Sequence, residues 1–283
     1  KDINKFSDLT SDIKELDEKL ETIGFETPIK PMKQTSTIGS VLARGESDKR
    51  NLKYGTIKDW VEELEFVNGR GELIKANKAD LSDIVGMEGI TGVIVKAKIK
   101  VIKKIKRSYS VFQSSDLEDV FKIARTLKGE KEVVMLLLLS KEISKILKLP
   151  EKYNLIIEFD SQRGKIKNEQ YQEIKEKIDN IHYLMLKNKY FNVEDSKFFS
   201  DRQKDFLLYL ASDKTPFAGI LGTGQTTYYF LDEEENDRKY ITDLVIKMGG
   251  KFANLGIEIK KKMKIKPNQK KIIQRVKQRH DPR

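Results

Sequence analysis

Apolar residues at Leu9, Ile13, Leu16, Leu20 and Ile23 recur at spacings of four and three, and Gly24 follows them. That period predicts an amphipathic helix, ended by the breaker run ETPIKP at 26–31. A polar, glycine-containing stretch covers 35–54. After it, WVEELEFV and GELIKA flank NGRG, the pattern of a β-hairpin with a glycine-rich turn. In GVIVKAKIKVI, Val93, Val95, Ala97, Ile99 and Val101 alternate with lysines from Lys96 onward, which predicts a strand with one wet face.

KKIKR, at 103–107, reads as a link, and from Ser108 the pattern alternates between helix and strand. Ser115 with Glu118 forms a capping box before apolar Leu117, Val120, Phe121, Ala124 and Leu127, with Gly129 as the stop. A strand over 132–139, a helix ended by Pro150 and a strand over 153–159 follow. Helices are then predicted across NEQYQEIKEKIDNI and from Glu194 to Ala211. Such alternation predicts a layered α+β domain with helices on one side of a sheet, and domains at 1–107 and 108–283.

VVMLLLL at 133–139 is the longest apolar run, far short of the roughly 18 residues a membrane helix needs, so no membrane span is expected. The chain has 283 residues and no cysteine, which excludes disulfides, thiolate metal sites and a cysteine nucleophile. Nothing at the start resembles a signal peptide, so a cytoplasmic location is the expectation. Lys1 stands where an initiator methionine would, which suggests an incomplete chain. The net charge of +11 is concentrated: residues 260–283 carry eleven Lys and Arg against Asp281, whereas the rest holds 44 bases and 43 acids. Binding to a polyanion would rest on that tail alone, and Ile265, Ile272, Ile273 and Val276 give part of it a packing face.

GILGTGQTT at 219–227 has the glycine spacing of a phosphate-binding P-loop, with Gly219, Gly224, Gln225 and Thr226 in the GxxxxGK[ST] places. A working loop needs a lysine and a helix directly after it. Gln225 is neutral and TTYYFL favours a strand, so turn geometry explains these glycines.

Three further motifs stand in order around the hairpin. They are Thr37, Ile38, Gly39 and Ser40; then Tyr54 and Gly55; then Met87, Glu88, Gly89, Ile90, Thr91, Gly92, Val93 and Ile94. Together they resemble the T-I-G-G, Y-G and S-E-G-T-L-G-I-I motifs of FAD-linked oxidases of the vanillyl-alcohol oxidase type, in the glycolate oxidase and D-lactate dehydrogenase branch. The third motif keeps the Glu-Gly and the later Gly. The resemblance implies an α+β fold: the second half of a PCMH-type FAD-binding domain, then a ferredoxin-like FAD-linked oxidase C-terminal domain that caps the substrate. It implies FAD held in part by Thr37, Ile38, Gly39, Ser40, Gly55, Glu88, Gly89, Gly92, Val93 and Ile94, where glycine lets backbone N–H groups approach a flat ligand. The family's pyrophosphate loop is expected upstream of Leu9, before Lys1.

The likeness continues loosely. FFSDRQKDFLLYLA is similar to an arginine-bearing helix of the family, so Arg202 is a candidate for a substrate carboxylate, beside its reading as an exposed helix charge. Tyr228 and Tyr229 are candidate acid–base groups, beside their reading as strand aromatics in a core. The branch's G-H-L-G-D-G-N-x-H is represented by residues 219–227 and its E-H-G-I-G by Asn254, Leu255, Gly256, Ile257 and Glu258, so all three histidines are absent. In those relatives imidazole holds a divalent metal and supplies the base. Only His182 and His280 occur here, and no catalytic metal is expected. Three functions follow. The first is an FAD oxidoreductase passing hydride from a small alcohol or hydroxy acid, with the electron acceptor open. The second is a non-catalytic flavin-domain subunit for binding or assembly. The weakest is nucleic-acid binding by the tail, which would fall steeply with salt.

Overall fold

The computed structural model describes residues 12–31, 36–45, 48–166, 168–231 and 235–253, with positions 274 and 278. Leu9, the motif from Asn254 to Glu258, His280 and the rest of the basic tail lie outside them. The described chain forms two compact units. One holds 12–48 and 56–104; the other holds 49–55 and 105–253.

In the first unit, Asp12 caps helix α1 (Ile13–Glu21), its carboxylate accepting from the Glu15 N–H at 2.8 Å. Ile13 and Leu20 are buried, as the spacing predicts, and so is Asp17, which accepts from the N–H and hydroxyl of Thr27 and pairs with Lys30. Ile23 lies beyond the helix and is 37% exposed, because Gly24 at φ +77 turns the chain into β1 (Phe25–Glu26). β1 pairs with β5 (Ile102–Lys103).

The polar stretch holds a helix that its short apolar pattern concealed. α2 (Ile38–Arg44) buries Val41 and Leu42 completely, and α3 (Asn51–Tyr54) and α4 (Ile57–Trp60) follow. The hairpin forms as predicted from β2 (Val61–Val67) and β3 (Leu73–Asn77), and β4 (Val93–Ile99) joins the other edge of β2. One expectation for β4 fails. Its register passes from Lys96 opposite Glu65 to Ile94 opposite Phe66, leaving Val95 as the extra residue of a bulge. A bulge swaps the faces of a strand. Ala97, Ile99 and Ile94 therefore pack on the core, whereas Val93 and Val95 are 69% and 46% exposed.

The second unit contains β6 (Ser108–Ser114), α5 (Leu117–Leu127), β7 (Val133–Leu139), α6 (Lys141–Ile146), β8 (Tyr153–Phe159), α7 (Asn168–Asp179) and α8 (Ile181–Lys187). It continues with β9 (Tyr190–Lys197), α9 (Ser200–Ser212), β10 (Phe217–Ile220), β11 (Gln225–Leu231), α10 (Glu235–Lys247) and β12 (Lys251–Ala253). The strands form one seven-stranded sheet in the order β12-β9-β11-β10-β7-β8-β6, antiparallel throughout. Asp116, and not Ser115, caps α5. Residues 194–197 belong to β9, paired with β11 throughout and with β12 at 195–197, so the helix expected from Glu194 begins at Ser200.

Helices lie on both faces of this sheet, not on one. Leu136, Leu138, Leu155, Ile157 and Tyr228 pack with Phe121 of α5, Phe206 of α9 and Ile241 of α10. The alternate residues face the other way: Tyr229 meets His182 on α8, and Tyr109 stacks on Tyr171 of α7. His182 thus sits within α8.

Candidate functional site

The first motif is a helix start and not a loop. Thr37 caps α2, its hydroxyl accepting from the Ser40 N–H at 3.2 Å, and Ile38 is buried in the core. The third motif packs at the opposite end of α2. Gly86 N–H donates to the Leu42 carbonyl at 3.0 Å and Glu88 N–H to Ala43 at 2.7 Å. A Cβ on Gly45, which ends α2 at φ +58, would lie 3.0 Å from Gly86 Cα. Gly45 and Gly86, not singled out from sequence, thus hold the motif to the helix.

Glu88 and Gly89 are successive residues at positive φ, +53 and +79, and the turn closes through Ile90 N–H to Met87 and Gly92 N–H to Gly89. The N–H groups of Gly89 and Thr91 donate to no described residue. Thr91 is 1% exposed and its hydroxyl has no partner among the described residues. A buried unsatisfied donor calls for a partner. No atom lies closer than 4.0 Å to a Cβ placed on Gly89, so its backbone borders open space. These residues fit a ligand with acceptor atoms along an edge. Gly92 has a different constraint: a Cβ there would lie 2.3 Å from the Val67 carbonyl oxygen, so contact with β2 demands glycine. Val93 is exposed, and Ile94 packs against the core. Gly55 falls in the second unit.

In the second unit, residues 219–227 form the β10–β11 hairpin, with Ile220 opposite Gln225. Gly222 and Gly224 take φ +86 and +82, and a Cβ on Gly224 would overlap the Phe198 carbonyl oxygen. Gln203, buried on α9, donates to the Ile220 and Gln225 carbonyls at 3.2 and 2.7 Å and fixes the turn from beneath. Its neighbour Arg202 is exposed, whereas Tyr228 is fully buried edge-on against Phe206. Tyr229 bonds His182 Nδ1 at 3.2 Å.

The strongest electrostatic feature of this unit was not foreseen. Glu158, 2% exposed, receives two bonds from the Arg50 guanidinium at 2.6 and 2.9 Å and one from the Tyr109 hydroxyl at 3.1 Å, with Arg107 Nε at 3.6 Å. Burial alone would raise the Glu158 carboxyl, but Arg50 and Arg107 outweigh it and hold it below the ordinary carboxylate range. Burial, then the Glu158 charge, pushes the Tyr109 phenol far above its ordinary value. Arg107 also donates to the Tyr54 hydroxyl at 3.2 Å, tying the Tyr-Gly motif to the cluster. Lys49 pairs with Asp179 at 2.6 Å and Lys53 with Asp160, so residues 49–53 are anchored by three ion pairs. The sequence signal was one acid in the otherwise apolar second half of YNLIIEF. Among the described residues no group of three or more His, Asp and Glu is placed to hold a metal.

A family described as FAD binding domain matches residues 11–77, which contain α1, α2 and the β2–β3 hairpin. It is this part of the chain, most of it in the first unit, that is similar to an FAD binding domain. The chain is also similar to the D-lactate dehydrogenase of Archaeoglobus fulgidus, 30% identical over 103 residues, or 33% of this chain and 23% of that protein. The glycolate oxidase subunit GlcD of Bacillus subtilis is 30% identical over 89 residues, 28% of this chain and 19% of that protein. The matches thus span less than a quarter of either relative. A solved alkyldihydroxyacetonephosphate synthase has the same fold, with a TM-score of 0.63 at 17% identity over 95% of this chain and 62% of that one. FAD is the cofactor of this domain family.

Proposed function

We propose that residues 1–107 are the second part of a PCMH-type flavin domain and residues 108–283 a cap over the substrate. The whole protein, on this reading, oxidises a small alcohol or hydroxy acid. The FAD binding domain match over 11–77 carries the proposal, and the buried Thr91 hydroxyl, without a partner among the described residues, supports it. Bound FAD would accept hydride from the substrate carbon. Gly89 and Thr91 would offer backbone and hydroxyl groups to the flavin edge, with Glu88, Gly92, Val93 and Ile94 positioning the turn. Thr37, Ile38, Gly39 and Ser40 would shape the wall of the same unit at the start of α2. The names of the relatives make D-lactate, glycolate and D-2-hydroxyglutarate the substrates to try first.

The places of the branch's histidines are taken by Ile220, Thr227 and Leu255, none of which can carry a proton at neutral pH or hold a metal as imidazole does. This observation favours a second reading, a flavin-domain subunit that binds without turning over. Purified at the full length in which it is encoded, the protein is expected to show flavin absorbance. Anaerobic bleaching by one of these hydroxy acids supports the enzyme. A yellow protein bleached by no hydroxy acid, sugar or alditol supports the binding subunit, and a colourless, folded one overturns both.

A further inference from the structure

Within the second unit a cavity of about 360 Å³ opens between the β6–β8 face, α7 and the loop after α6. Small-molecule sites occupy roughly 300–1,000 Å³. Its floor is the cross-strand pair Val111 and Ile156, followed on the same face by the pair Gln113 and Asn154. Ile174 of α7 lies across from them. The polar pair is rigid: the buried Asn154 amide donates to the Ser144 hydroxyl and to the Pro150 and Lys152 carbonyls, and its oxygen accepts from Gln113 at 2.7 Å.

Charge at the rim is unbalanced. Lys177 and Glu173 pair with each other at 2.8 Å along α7. Lys148, held at φ +55 just beyond α6, pairs with no described acid. A slot with branched aliphatic walls and one uncompensated ammonium suits a flat apolar body carrying a single negative charge. A phosphate dianion would meet the same single cation with Glu173 nearby.

We propose that this cavity binds a planar aromatic carboxylate, its ring between Val111–Ile156 and Ile174 and its carboxylate on Lys148. The proposal is independent of the flavin reading. Titration calorimetry of the whole chain with 2-naphthoate is expected to show saturable binding at one site. Lys148→Glu, at an exposed position, should weaken it at least tenfold, and 2-naphthylmethanol should bind the unaltered chain at least tenfold more weakly than the acid. Ile174→Trp should abolish binding by filling the slot, and Lys187→Glu on α8 should leave it unchanged. Absence of saturable binding overturns the proposal, as does binding indifferent to Lys148→Glu. Equal affinity for the alcohol does so too. Should Ile174→Trp fail to fold, the Lys148→Glu and alcohol comparisons still decide.

Discussion

Glu158 shows how much can depend on one side chain. Its carboxylate balances Arg50 and lies beside Arg107, so Glu158→Gln leaves buried guanidinium charge facing a neutral amide. Loss of one partner from such a pair costs about 3–5 kcal/mol, which urea denaturation would read. The pH dependence has a definite sign. The folded carboxyl sits below its ordinary 4.5, so its contribution is complete above that value and is lost as pH falls through the folded pKa. Glu158→Gln should therefore flatten the fall in stability on the acid side of pH 4.5, measured as urea midpoints down the pH scale. Gly224 offers a steric contrast. Gly224→Ala would drive a Cβ into the Phe198 carbonyl at φ +82 and should cost about 2 kcal/mol or more, whereas Gly129→Ala, with open space around it, should change stability by less than about 1 kcal/mol.

At the scale of elements, the bulge in β4 makes a testable distinction between adjacent residues. Val93→Thr should alter stability by no more than about 0.5 kcal/mol, while Ile94→Ala should cost about 1–2 kcal/mol, because the shifted register turns Ile94 and not Val93 to the core. A larger cost at Val93 than at Ile94 would argue for an unbulged strand. The same element marks the limit of what periodicity reveals. The β2–β3 hairpin, β7 and β8 were legible because turn residues or unbroken apolar runs bound them. The β4 facing was not, since one extra residue inverts it without disturbing the alternation of letters. β9 reads as helix locally because its pairing with β11 and β12 is set by distant residues. α2 has too few turns for a period to emerge. Of the candidate site, the ordered glycine motifs were visible, but Gly45, Gly86 and the Arg50–Glu158 cluster were not. Those depend on partners up to 108 positions apart.

For the whole molecule, the chain path matters as much as either unit. Residues 49–55 leave the first unit, lodge in the second and return. Lys49 and Lys53 hold that excursion by ion pairs, with Leu52 against the large core cluster. Lys49→Ala with Lys53→Ala should raise amide exchange across 50–55 by at least tenfold without changing exchange in β7 and β8, as peptide-level mass spectrometry would resolve. Retained protection would show that Arg50 and Leu52 suffice. Modular exchange inherits the same constraint. A recombinant that swaps only the stretch downstream of Lys104 for a homologous one would strand Arg50 opposite a foreign strand. A workable chimera must carry two separated pieces of donor sequence.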